Sequence, residues 1–179
     1  MQQTIDTSGL ARTGTELVGE YPLAQMQRLG SLLADSEGAL AWRLRGWRER
    51  GVDGAGNDFM ALSIDATVRM ACVRCNQPVA VELSAERAYR LVGSEAEAER
   101  LDLDDHQFDV LAGSRRFDLA ALVEDEAIMA LPPMPRHERC ELPIAATAAG
   151  AAAQAQRERP FAALERLKNS AQNTDIIED

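Results

Sequence analysis

Residues 60–83 read MALSIDATVRMACVRCNQPVAVEL. In steps of two, Met60, Leu62, Ile64, Ala66, Val68 and Met70 are apolar, with Ser63, Asp65, Thr67 and Arg69 between them. That alternation is the pattern of a strand with one packed face and one wet face. After Cys72-Val-Arg-Cys75 and Asn76-Gln-Pro78 it resumes at Val79, Val81 and Leu83. The pattern predicts a β-hairpin with a C-x-x-C at its tip, not at the start of a helix.

Working outward, Ala39 to Glu49 reads as another strand, with Leu40, Trp42 and Leu44 on one face and Arg43 and Arg45 on the other. A glycine-rich run at 51–58 joins it to the hairpin, so three strands form a meander. Those glycines do not follow a strand and open a helix, which excludes a phosphate-binding loop. Upstream, Pro22 followed by Leu23, Met26, Leu29 and Leu33 has helical spacing and predicts three to four turns. Residues 1–20 read as an irregular lead-in with at most an edge strand. Downstream, 84–92 continues the hairpin, and 94–107 is an acidic surface stretch with an edge at Leu101 and Leu103. Phe108–Leu111 and Arg115–Phe117 flank Ala-Gly-Ser and predict a second short hairpin.

Asp118 is placed to cap a helix whose apolar stripe is Leu119, Leu122, Val123, Ala127, Ala130 and Leu131. Glu126 falls against that stripe and needs a partner such as Arg. Pro132, Pro133 and Pro135 stop the helix. The expected fold is α+β: an antiparallel, curved β-meander packed with two main helices, in a single domain over 1–144. From 145 an alanine-rich linker leads to a short helix at about 160–168 and a flexible, disordered end.

The chain has 179 residues and a net charge of -10. Residues 91–141 carry 13 acidic and 5 basic groups, which is -8 of that total. Such a balance repels phosphate in bulk and suits a basic partner protein. Glu124, Asp125 and Glu126 are the candidate docking face. No apolar run approaches the roughly 20 residues of a membrane helix, so a soluble, cytoplasmic protein is expected. The odd count of three cysteines argues against a secreted disulfide framework.

Cys72-x-x-Cys75 and His137-x-x-Cys140 are two pairs of soft ligands at chelating spacing. Three thiolates and one imidazole make a normal structural zinc set. Reduced, packed thiols are the alternative, as are thiols activated by Arg74, Arg136 and Arg139. A thioredoxin-like role is weaker, because that motif needs a helix N-terminus. His106 has no partner motif and reads as a surface residue. Arg43, Arg45 and Arg48 with Trp47 form an alternative, direct RNA-binding face. No nucleophile elbow, Walker motif or H-E-x-x-H is present, so an enzyme is not expected.

Several landmarks, taken in order, resemble one family. They are Val68 to Cys75, the run Phe117-Asp-Leu-Ala-Ala-Leu-Val-Glu-Asp-Glu-Ala-Ile-Met-Ala-Leu-Pro132, then Pro135, His137 and Cys140, and finally Pro160 to Lys168. The chain is similar, over about residues 15 to 168, to the large ribosomal RNA subunit accumulation proteins, the YceD-like proteins of bacteria and plastids. The resemblance implies a part in the synthesis, processing or stability of 23S ribosomal RNA, hence in large-subunit biogenesis. It implies a large-subunit ribosomal protein or pre-50S ribonucleoprotein as partner. Some relatives carry extra cysteines after the proline segment, where this chain has only His137 and Cys140. The family supplies no catalytic residues to carry over.

Overall fold

A computed structural model describes residues 4–50, 56–103 and 108–140. The chain divides into two compact units, Met1–Glu138 and Arg139–Asp179. Only Arg139 and Cys140 of the second are described. The predicted linker from 145, the short helix at 160–168 and His106 lie outside the described residues.

The first unit runs β1 (Thr4–Ile5), α1 (Thr7–Thr13), β2 (Glu16–Pro22), a 3-10 turn (Leu23–Gln25) and α2 (Gln27–Gly30). It continues with β3 (Ala39–Arg50), β4 (Gly56–Ala71), β5 (Pro78–Val92), α3 (Glu95–Asp102), β6 (Asp109–Ala112), β7 (Phe117–Asp118) and α4 (Leu119–Ala130). Five strands form one sheet in the order β2-β3-β4-β5-β6, and β1 pairs with β7 in a separate two-stranded ribbon. The fold is α+β, as the alternation predicts. The hairpin of residues 60–83 is its longest ladder, from Asp58↔Leu91 to Ala71↔Pro78.

Alternation sorts the sheet into two faces. Leu40, Trp42 and Leu44 of β3, Met60, Leu62, Ile64 and Val68 of β4, and Leu83, Tyr89 and Leu91 of β5 are buried. Leu10 and Ala11 of α1, Leu23, Met26 and Leu29, and Leu119, Val123 and Ala127 of α4 complete this core. Each large apolar side chain withdrawn from water stabilises the fold by about 1.5–3 kcal/mol. The other face carries exposed Arg43, Arg45, Asp65, Glu82 and Glu86. Asp118 caps α4, its Oδ1 accepting from the Ala121 N–H at 3.1 Å. Among the described residues no helix is long and apolar enough to cross a membrane.

Four local expectations are corrected. Helix α1 stands where an irregular lead-in is expected; Asp6 caps it at Gly9 N and Gly14 ends it at φ 63°. It is too short to show a periodic stripe. The helix expected from Pro22 is only the 3-10 turn and the four residues of α2, although Leu23, Met26 and Leu29 are buried as the spacing requires. The edge expected at Leu101 is helix α3, whose Ser94 cap accepts from Glu97 N at 3.3 Å. Ser94-x-x-Glu97 is the local helix-start signal that the acidic composition hid. The second hairpin does not form: β6 joins β5 in parallel, making the sheet mixed, and β7 pairs with β1. Both partners are distant in sequence, so no turn chemistry announces them.

Gly46 positions α1 on the sheet. A Cβ there would lie 2.6 Å from the Leu10 carbonyl carbon and 2.7 Å from its oxygen. The Gly46 N–H also donates to Thr15 O at 3.0 Å. Gly46→Ala should push α1 off β3 and destabilise the protein by about 2–3 kcal/mol. A lower urea midpoint with an unchanged m value would show it.

Candidate metal centre

Between Ala71 and Pro78 the chain makes a tight knuckle. The Cys72 N–H donates to Gln77 O at 2.9 Å, and the Asn76 N–H donates to Cys72 O at 2.9 Å. Asn76 takes φ 58°, a conformation its short polar side chain tolerates better than most. The turn folds Cys75 back toward Cys72, and Cys72 is buried while Cys75 is half-buried.

The segment after α4 is tied to this turn by the backbone. Val73 N–H donates to Pro135 O at 2.9 Å. Two residues later His137 places its Nδ1 3.6 Å from the Cys75 sulfur. Its Nε2 lies 3.0 Å from Pro78 O. A carbonyl only accepts, so Nε2 carries a proton, and Nδ1 is the ring nitrogen that faces the thiols. That outer hydrogen bond is the support a metal-ligating imidazole needs. Cys140 follows three residues on. One donor atom from each of Cys72, Cys75, His137 and Cys140 lies within 4.8 Å of the others. The sequence-predicted set therefore meets in space, and this Cys3His group can hold a metal ion.

The local field favours the ligating form of Cys72. Burial alone pushes its thiol up. Hydrogen bonds from the Arg74, Cys75 and His137 backbones and from the His137 side chain outweigh it and bring the pKa down to about 5.

The acidic triplet on α4 is engaged inside the fold. Glu124 Oε1 accepts from the Arg28 and Leu29 N–H groups at 2.8 and 3.0 Å, capping α2 from another element. Asp125 pairs with the Arg28 guanidinium and stays half-exposed. Glu126 is buried, as the stripe requires, and its partner is an arginine. Its Oε2 accepts from Arg87 Nε at 3.0 Å, and its Oε1 accepts from the Tyr89 hydroxyl at 2.6 Å. Burial, and behind it the Glu126 carboxylate, pushes the Tyr89 phenol well above its ordinary pKa, so it remains a donor. Tyr89 lies on a strand of ordinary apolar alternation, and nothing in that pattern marks it as a polar partner.

On the open sheet face Arg43 pairs with Glu16 at 3.0 Å, and toward the far end of β3 Arg48 pairs with Asp58. Trp47 stacks on Phe59 at 5.4 Å, donates to Glu49 Oε1 at 2.8 Å and lies beneath the Arg45 guanidinium. Arg45 and Trp47 thus come together, while Arg43 and Arg48 turn to carboxylates.

The family of the large ribosomal RNA subunit accumulation protein YceD matches residues 60–168. A relative from Haemophilus influenzae, named Large ribosomal RNA subunit accumulation protein YceD, is 29% identical over 175 residues. The match covers 92% of this chain and 94% of the relative. No solved structure matches the chain significantly.

Proposed function

We propose that this chain, which belongs to the large ribosomal RNA subunit accumulation protein YceD family, sustains large-subunit ribosomal RNA by binding and not by catalysis. It docks in the cytoplasm on a pre-50S particle or on one of that particle's ribosomal proteins. The family match carries this reading. It spans the β4–β5 hairpin from Met60 onward, α4 and all four residues of the Cys3His group.

The group is a structural zinc site. Zn–S bonds of about 2.3 Å and Zn–N bonds of about 2.0–2.1 Å place tetrahedral donors roughly 3.3–3.8 Å apart. The four donor atoms here, all within 4.8 Å of one another, need only a small contraction. Three thiolates select zinc over the harder divalent ions. Its work is mechanical: it ties the hairpin tip to the segment that follows α4.

In a sucrose gradient of cell extract, the tagged chain should travel with pre-50S particles, and its depletion should lower 23S relative to 16S ribosomal RNA. A chain confined to the top fractions, with an unchanged ratio, overturns the reading. The acidic contact is tested at Asp125 alone, because Glu124 caps α2 and Glu126 is buried in the core. Asp125→Asn should weaken co-sedimentation severalfold and leave the urea midpoint within the roughly 0.5 kcal/mol of an ordinary surface change. Unchanged co-sedimentation removes this contact.

A second reading, direct RNA binding on the open sheet face, is favoured by the Arg45–Trp47–Phe59 stack. Stacked aromatics and arginine suit single-stranded bases.

A further inference from the structure

We infer that the tip of the β4–β5 hairpin is an RNA-contacting surface, where Arg74 and Arg136 hold the phosphates of a single-stranded segment and Val73 and Met134 pack against its bases. The inference rests on docking to a pre-50S particle and names the surface that meets its RNA.

Arginine pairing carries the argument first. Arg28, Arg43, Arg48, Arg69 and Arg87 each bind a carboxylate. Arg74 and Arg136 are exposed and have no carboxylate partner among the described residues. Between Ala71 and Val79 the only charged side chain is Arg74, and between Leu131 and Arg139 the only ones are Arg136 and Glu138. The hairpin tip is therefore locally basic in a chain of net charge -10.

Placement comes second. The last β3–β4 pair in this direction is Ala41↔Asp65, and the β4–β5 ladder runs on for six more, from Ala66↔Leu83 to Ala71↔Pro78. At about 3.3 Å per residue, the tip lies roughly 20 Å beyond the last β3–β4 pair. The acids of α3 follow the opposite end of β5, fifteen residues away. That separation, on the order of 40 Å, is several Debye lengths at physiological salt. The charge of α3 is thus screened from the tip, though it orients the tip toward a polyanion.

Rigidity is the third observation. The Val73 N–H to Pro135 O bond joins the two segments next to Arg74 and Arg136. Both guanidinium groups are thus presented from one braced knuckle. Val73 is 59% exposed and Met134 72% exposed, so each basic group has an apolar neighbour facing water. Guanidinium forks match phosphate oxygens bidentately. A phosphate recurs at every nucleotide, whereas an acidic protein would have to supply two carboxylates at one spacing.

Fluorescence anisotropy of the zinc-loaded full chain with a labelled, mixed-sequence single-stranded RNA 12-mer tests this. Arg74→Ala with Arg136→Ala should raise Kd at least about tenfold and flatten the salt slope by about 1.4, the value for two lost phosphate contacts. Arg45→Ala should change neither. Arg136→Glu, outside the C-x-x-C turn, should weaken binding further and guards against a misfolded double variant. No binding at about 50 mM salt, or binding unaffected by both Arg variants, overturns the inference, as does loss with Arg45→Ala instead. If the wild-type chain still travels with pre-50S particles in that case, only this surface is refuted. If it does not, the docking reading falls with it.

Discussion

Removing zinc from the purified full chain with a chelator should lower its stability toward urea by about 4 kcal/mol or more. A ligand that binds only the folded state stabilises by RT ln(1 + [L]/Kd), which is about 4.1 kcal/mol at a thousandfold excess over Kd. Structural zinc sites commonly exceed that ratio at neutral pH. The site exists only in the folded chain, because folding alone brings Cys72 and Cys75 to His137 and Cys140 across a long loop. Native mass spectrometry should find one zinc per chain. Cys72→Ser should remove most of the zinc-dependent stability. His137→Ala should cost less, since three thiolates remain. A chain that purifies without metal, and whose urea midpoint ignores added zinc, ends the zinc assignment.

Glu126→Ala is expected to destabilise the protein by about 3 kcal/mol. Glu126 is 6% exposed, and its carboxylate accepts from Tyr89 and Arg87. Without it the buried Tyr89 hydroxyl loses its acceptor and a cavity opens beside Val123 and Ala127, both fully buried on the same helix. Arg87 keeps Asp109, at 2.6 Å, so the edge pairing of β6 should survive. Glu126→Gln retains the shape and one acceptor and should cost about 1–2 kcal/mol. Tyr89→Phe removes donor and need together and should cost about 1 kcal/mol. Equilibrium urea unfolding ranks the three. If Glu126→Ala unfolds at the wild-type midpoint, the network does not hold α4 to β5.

These two sites differ in how far residue spacing reveals them. The candidate metal ligands are legible because each pair is a local motif, and the soft ligands of a 179-residue chain are few. Cys72, Cys75, His137 and Cys140 leave little choice of partner. The need of Glu126 for a cation is equally legible from its place on the apolar stripe. Which arginine answers is not, because Arg87 comes from a strand thirty-nine residues away. The same limit hides the cap that Glu124 places on α2, ninety-five residues from Leu29. As a run of three acids the triplet reads as one docking face. In the structure its members have three separate jobs.

Short-range chemistry was enough to establish the β4–β5 hairpin, the Asp118 cap, the buried stripe of α4 and membership of an α+β class. Each follows from side-chain period or from a hydrogen bond spanning a few residues, and both are written along the chain. The parallel entry of β6, the β1–β7 ribbon, the short α2 and the partners of the acidic triplet were settled only by packing. Their energy comes from contacts between segments tens to more than a hundred residues apart, where no local propensity selects one partner over another. The thiol-tipped hairpin that opens the reading stands on both sides of this divide. Its strands and ligand spacing are local, but its closure against His137 depends on bonds across some sixty residues, from Val73 N–H to Pro135 O and from His137 Nε2 to Pro78 O.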